Sequence, residues 1–178
     1  SRTNLISTNK LRINLLSSQN DVKIIRNLPT KKWVYSNVLV NKKITKLALS
    51  KYIFLPGRIN NFQDLEIVKK FANLNNLKIY ICGDHKNVDS DNTIVNLGIL
   101  NPEQINYLIK KCEFGLVIYN NSTLSQIYSS SSKLFEFLVY RKKVIYSMNK
   151  GVLDELKFFD IKNCFLIDDR LPSYKVRF

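Results

Sequence analysis

The chain has 178 residues, 45% of them hydrophobic and 24% charged, with 28 Lys and Arg against 14 Asp and Glu for a formal net charge of +14. That length suits one domain with a real core, and the composition is that of an ordinary globular protein. No apolar run approaches the ~18 residues of a membrane-spanning helix, so no transmembrane segment is expected.

The N-terminus, S-R-T-N-L-I-S-T-N-K, lacks both an initiator Met and the apolar centre of a signal peptide, and it reads as an excised or incomplete segment. Residues 1–50 form a lead-in with little chemistry of its own, ahead of a domain over 51–178. Within the lead-in, Asp21 to Asn27 looks like a short strand, and Leu28-Pro29-Thr30 like a turn. Trp33 to Val40 and Ile44 to Ser50 fit strand, loop or short helix.

From Lys51 the pattern becomes regular. Tyr52 to Leu55 is a buried-strand run ended by Pro56-Gly57-Arg58. Asp64 to Leu74 has helical spacing, with Leu65, Val68 and Ala72 on one stripe and Ile67 and Phe71 beside it. Strands follow at Leu77–Cys82 and Thr93–Leu97, each stopped by glycine. Asn101-Pro102-Glu103-Gln104 is a strong helix start, with Asn at the cap, Pro first and Gln third. Ile105, Leu108, Ile109 and Cys112 line one face of that helix. Phe114–Tyr119 and Lys143–Ser147 are strand runs enclosing a polar loop and a helix that opens near Ser131. Gly151–Phe158 reads as a short helix with Val152, Leu153 and Leu156 inward, and Cys164–Ile167 as a last strand.

Strands that alternate with helices, and are apolar throughout, predict a parallel sheet covered on both faces. The expected fold is α/β: a Rossmann-like three-layer domain with a mainly parallel sheet of about six strands. In such sheets ligands bind beyond the carboxyl ends of the strands. Gly57, Gly83 and Gly98 all fall there, where glycine permits close backbone approach. Neither G-x-G-x-x-G nor G-x-x-x-x-G-K-[ST] is present, which disfavours a nicotinamide dehydrogenase and a P-loop enzyme.

The richest chemistry lies where the serine loop meets its helix. A helix start carries unpaired N–H groups and partial positive charge. Small serines, Ser129 to Ser132, allow close approach, and Lys133 adds a full charge in the same turn. Glu136 shares a face with Ser132 and Lys133, while Leu134, Phe137 and Leu138 take another. Phosphate at the serines with a diol held by Glu136 describes a nucleotide or nucleotide-sugar site. The same residues also fit a serine-rich loop with Lys133 and Glu136 as a solvated ion pair.

Cys82, Cys112 and Cys164 are widely spaced in apolar surroundings and read as reduced core residues of a cytoplasmic protein. His85 is the only histidine, which excludes a multi-histidine metal centre; it reads as a solvent-facing loop residue. The lysines are spread along the chain and no finger spacing, RNP signature or arginine-rich tract appears, so no specific nucleic-acid partner is expected. Phosphorylated substrates or an anionic membrane surface fit the charge at least as well.

Several stretches together resemble a known family. K-I-I-R-N-L-P, L-P-G-R, I-C-G-D, L-G-I-L and S-S-K-L-F-E-F-L-V-Y-R-K-K-V-I-Y-S are similar to the C-terminal half of GT-B glycosyltransferases. The last matches the pattern S-P-x-K-[LF]-x-E-[YF]-[LM]-x-x-G-[KR]-P-V-I of the retaining group 1, family 4-like enzymes of bacterial polysaccharide synthesis. The resemblance spans roughly residues 21 to 170.

It implies a domain that binds a nucleoside-diphosphate sugar, such as a UDP- or GDP-sugar, with no metal and no cofactor. Arg58 would pair with the diphosphate. Main chain near Ile99 and Leu100 would hold the base. Ser131, Ser132 and Lys133 would cradle the pyrophosphate, with Gly57, Gly83, Gly98 and Leu134 in the same donor-binding set. Glu136 would accept ribose hydroxyls. Arg58, Lys133 and Glu136 form the implied catalytic group. The acceptor, a surface glycan or lipid-linked molecule, would sit against a separate N-terminal domain, so the 178-residue chain alone is expected to transfer no sugar. Peripheral contact with the inner membrane face is a further implied property.

The chain departs from the pattern at named positions. Gln63 stands where a second basic residue is common, with Lys69 and Lys70 further on. Tyr128 replaces the first acid of the Glu-x7-Glu motif. Gly-Lys-Pro-Val appears as Arg141-Lys142-Lys143-Val144. Two other readings stay open: a sugar-nucleotide epimerase of GT-B architecture, which a single histidine disfavours, and a non-catalytic basic module for glycan, anionic lipid or nucleic acid.

Overall fold

The computed structural model describes residues 5–7, 22–24, 28–30, 42–59, 61–85, 88–119, 121–128, 132–159 and 161–175. Two short parallel strands, β1 (Leu5–Ser7) and β2 (Val22–Ile24), pair with each other. β2 lies inside the stretch expected to be a strand; β1 had no readable signal. The 44–50 region resolves as helix α1 (Lys42–Leu47) and a turn, while 33–40 lies outside the described residues.

The main sheet contains β3 (Tyr52–Pro56), β4 (Lys78–Cys82), β5 (Ile94–Asn96), β6 (Phe114–Val117), β7 (Lys143–Tyr146) and β8 (Cys164–Leu166), in the order β5-β4-β3-β6-β7-β8. Every pairing is parallel. Counted from β3, this is the order 3-2-1-4-5-6 of a doubly wound nucleotide-binding sheet. The expectation of about six parallel strands with helices on both faces holds.

Alternation along each strand builds two cores. Ile53, Leu55, Ile79, Ile81, Phe114 and Leu116 face one side, where helix α2 (Phe62–Leu74) covers them with Leu65, Val68, Phe71 and Ala72. Tyr52, Phe54, Tyr80, Cys82, Val144 and Tyr146 face the other. There they meet Ile44 of α1, Leu108 and Ile109 of α3 (Pro102–Lys111), Leu134 and Phe137 of α5 (Ser132–Val139), and Val152 and Leu156 of α6 (Lys150–Phe158). Because both faces are buried, the strands carry no polar alternation, which is why they read as continuous apolar runs.

Asparagine starts three of the helices. Asn61 accepts the N–H groups of Gln63 and Asp64 at 3.1 and 3.3 Å. Asn101 and Gln104 form a reciprocal capping box at 2.8 and 3.0 Å. Asn149 accepts from Val152 at 3.1 Å. Each cap satisfies backbone donors that would otherwise be orphaned. Buried Asn106 accepts the Tyr140 hydroxyl at 2.8 Å, which fixes α3 against α5.

Four expectations need correction. Leu153 is 37% exposed, and Gly151, Val152, Glu155 and Leu156 form the inward arc of α6 instead. The polar loop after β6 contains a short helix, α4 (Leu124–Ile127), capped by Thr123. The Lys133–Glu136 ion pair is half sheltered rather than solvated. His85 is half-buried rather than fully solvent-facing: part of it stays exposed, while Nε2 is buried with no hydrogen-bond partner among the described residues. The cysteines match expectation: all three thiols are free, two are buried, and burial pushes Cys112 up to about 12 and Cys164 to about 11.

Candidate functional site

The strand order reverses direction between β3 and β6, and there the structure opens. β3 and β6 pair only through Ile53 with Phe114 and Phe54 with Gly115. Beyond those two pairs lies a cleft of about 200 Å³, walled by Leu55 to Arg58 on one side and Leu116 to Tyr119 on the other, with Lys133 across it. Crevices at the carboxyl ends of strands flanking such a reversal are where doubly wound sheets bind ligands.

Each wall is built locally. Gly57 has φ +117° and Gly83 φ +142°, backbone that side-chain-bearing residues rarely adopt. The two loops are tied together: Gly57 N–H donates to Cys82 O at 2.9 Å, and Gly83 N–H to Gly98 O at 2.9 Å. A Cβ on Gly83 would lie 3.1 Å from both Gly57 O and His85 Nε2, so a side chain there would press on both loops. Nothing lies within 4 Å of a Cβ on Gly57, leaving that backbone open on the cleft side.

On the other side, Gly115 lets α5 approach the sheet. A Cβ at that position would overlap the Phe137 ring at a separation no real carbon atoms show. This contact seats α5 so that Lys133 reaches the cleft. Lys133 Nζ donates to both carboxylate oxygens of Glu136, at 3.0 and 2.8 Å. Glu136 keeps only 13% side-chain exposure and Lys133 33%. An ammonium has three donors, so Lys133 holds Glu136 and borders the cleft at once. Arg58 is exposed and has no carboxylate partner among the described residues. The Cys82 thiol lies near Lys133 and the Gly57 N–H, both of which favour thiolate, yet burial dominates and pushes it up to about 11.

The cleft therefore unites Gly57, Arg58 and Lys133 of the expected site residues. Gly83, Gly98, Ile99, Leu100, Ser132, Leu134 and Glu136 are not in its walls. Gly98 has φ +67° and begins the neighbouring loop; Ile99 is 82% exposed there, and Leu100 packs against the core. Leu134 is fully buried, main chain included, and packs in the core against Phe137 and the sheet. Ser132 is exposed at the first turn of α5, and Ser131 lies outside the described residues. Lys69 is committed elsewhere, 2.6 Å from Asp91.

Sequence reasoning missed Tyr119. It closes the β6 wall, and its N–H donates to Ser147 Oγ at 3.0 Å. The signal was its place at the end of an apolar run, which gains meaning only once β6 is known to flank the reversal. A further anchor is Asn149, 1% exposed, which donates to Gln126 O at 2.7 Å and ties α4 to the β7–α6 connection.

Among the described residues, no three His, Cys, Asp or Glu side chains gather to hold a metal ion, and no helix is long and apolar enough to cross a membrane. Fold and site define a Rossmann-like α/β domain with a basic cleft at its switch point. No protein-family model matches the chain, and no curated protein matches it.

Proposed function

We propose that this chain is the donor-binding half of a GT-B-type glycosyltransferase, holding a nucleoside-diphosphate sugar. The observation that carries this reading is the cleft at the β3–β6 reversal, where an exposed guanidinium, an ammonium and an uncrowded glycine backbone converge. A diphosphate matches that set: Arg58 offers a planar fork of donors, Lys133 a point charge, and Gly57 close main-chain approach. Glu136 retains lone pairs beyond those used by Lys133, enough to accept ribose hydroxyls.

The chemistry follows from charge. When the bond between the sugar's anomeric carbon and the phosphate oxygen breaks, negative charge grows on the departing diphosphate. Arg58 and Lys133 stabilise that charge more strongly as it develops, which lowers the barrier. The acceptor, a surface glycan or lipid-linked molecule, approaches from a second domain, and the transfer proceeds with retention. The left-handed backbone at Arg141, φ +55°, adds support, because the resembled pattern has glycine at that position.

Calorimetric titration with UDP, GDP, ADP and CMP tests the reading. One nucleoside diphosphate should bind saturably, and Arg58→Ala should weaken it by at least about tenfold through loss of charge-assisted hydrogen bonds. Glu136→Ala should weaken the nucleoside diphosphate without weakening inorganic pyrophosphate, because it removes the ribose acceptor and releases Lys133 toward the phosphates. A folded chain that binds none of the four, or binding indifferent to both substitutions, would sink the proposal.

A further inference from the structure

Along a strand, successive residues turn their N–H and C=O groups to one neighbour and then to the other. Gly57 N–H donates to Cys82 O and Ser147 N–H to Val117 O, at 2.9 and 3.1 Å. Odd-numbered residues of β3 therefore face β4, and odd-numbered residues of β6 face β7. Between β3 and β6 the even-numbered residues meet: Tyr52, Phe54 and Pro56 against Phe114, Leu116 and Ile118. On that side Tyr52 O accepts Glu113 N–H at 3.0 Å. Ile53 stands opposite Phe114 and Phe54 opposite Gly115, which fixes the bonds due next. The first runs from the N–H of residue 56 to Leu116 O, and the second from Ile118 N–H to the carbonyl of residue 56.

Residue 56 is proline, which has no N–H, so the first bond cannot form. Ile118 N–H does not make the second, nor any other hydrogen bond among the described residues. A proline that merely ended its strand would release both neighbours. Here β3 stays paired to β4, with Pro56 opposite Cys82 and Gly57 N–H bonded beyond it. β6 likewise stays tied to Ser147, past β7, through Val117 O and Tyr119 N–H. Only the bonds between β3 and β6 are missing, and the cleft lies in that gap, walled by these same residues. Leu116 and Ile118 are 2% and 7% exposed, so the peptide groups left bare have little water to stand in for a partner.

We propose that Pro56 is a positioning residue: by withholding one ladder bond it keeps the cleft open, and the ligand provides the partners that Leu116 O and Ile118 N–H lack. A hydroxyl suits the pair, since it donates to the carbonyl and accepts from the N–H, whereas a phosphate oxygen without hydrogen serves only the N–H. The identity of the ligand rests on the nucleotide reading; the role of Pro56 does not.

Any other residue at position 56 restores the N–H, so Pro56→Ala and Pro56→Val test the proposal with and without ligand. Valine keeps the apolar bulk of the wall, so an effect shared by both variants belongs to the N–H. Urea unfolding should confirm an intact fold in each. In hydrogen exchange followed by NMR, the new N–H at position 56 should be protected, and Ile118 N–H should exchange at least about tenfold more slowly than in the unaltered chain. In calorimetry both variants should bind whichever of UDP, GDP, ADP and CMP the unaltered chain takes at least about fivefold more weakly, the loss of one hydrogen bond. If the unaltered chain takes none of them, the donor reading fails and the exchange rates alone decide the role of Pro56. An unprotected N–H at position 56, an Ile118 N–H no slower than before, or protected amides with nucleotide binding undiminished would overturn the proposal.

Discussion

The two edges of the main sheet are built from the same repeating unit and end in opposite chemistry. At the amino edge cations dominate, standing at helix C-termini beside exposed phenylalanines. At the carboxyl edge, among the described residues, Asp64, Asp84, Glu103, Asp168 and Asp169 are interspersed with Lys150 and Arg170, and Arg58 and Lys133 converge on one cleft. Positive charge is thus diffuse where the surface is broad and concentrated where the sheet opens. Net charge alone describes neither edge, since a total of +14 fits a focused anion site and a spread surface equally well.

Substitutions can break or sharpen this contrast. The largest effect is expected at Gly115, because α5 joins the edges, with Lys133 at one end and Arg141 at the other. Gly115→Ala drives a methyl into the Phe137 ring and should cost at least about 2 kcal/mol by overpacking, read from urea unfolding, with both edges impaired together. Gly83→Ala acts on the carboxyl edge alone. Strained backbone at φ +142° and contact with Gly57 O should cost about 2 kcal/mol, with nucleotide binding reduced and the cations of the amino edge undisturbed.

Arg141→Gly works in the opposite direction at the amino edge. It relieves about 1–2 kcal/mol of left-handed strain against about 1 kcal/mol of added chain entropy, for a net gain of about 0.5 kcal/mol in thermal unfolding. The smallest effect is at Asp91. The Lys69 ammonium and the N–H groups of Ile94 and Thr93 hold its carboxyl at about 2, below its ordinary 3.8. The folded value lies below the unfolded one, so its contribution is complete above 3.8 and is lost as pH falls to about 2. The pair is largely exposed, so that contribution stays below about 1 kcal/mol; Asp91→Asn should flatten the acid limb of stability against pH by that amount.

Much of the main sheet was legible because its signals are local. Tyr52 to Leu55 is apolar at every position because both faces are buried, and Asn101-Pro102-Glu103-Gln104 carries its own capping chemistry. Legibility failed where an orientation depends on partners distant in sequence. Leu153 and Glu155 compete for the inward arc of α6, and packing on β7 and β8 decides it. His85 turns inward because the turn at Gly83 folds the chain back, which its neighbours in sequence do not announce. In the site, Arg58 and Lys133 were readable as residue types beyond strand ends. Tyr119 was not, because its role depends on β6 lying next to β3, a pairing between segments some sixty residues apart.

The sheet's uneven stitching bears on the cleft. β3 joins β4 through five paired residues and β6 joins β7 through four, but β3 and β6 meet through only two. The chain thus forms two wings, β3-β4-β5 and β6-β7-β8, fastened along a seam thinner than either wing's internal joints. Side chains cross this line on both faces, where Phe114 meets Phe71 of α2 edge to face and the Tyr52 hydroxyl donates to Leu108 O of α3 at 2.8 Å, so the thin stitching is local to the strand ends. The cleft lies directly above it, between the residues where the two strands part. Its mouth is therefore shaped by the ends of β3 and β6 alone, above two cores that each run unbroken beneath both wings.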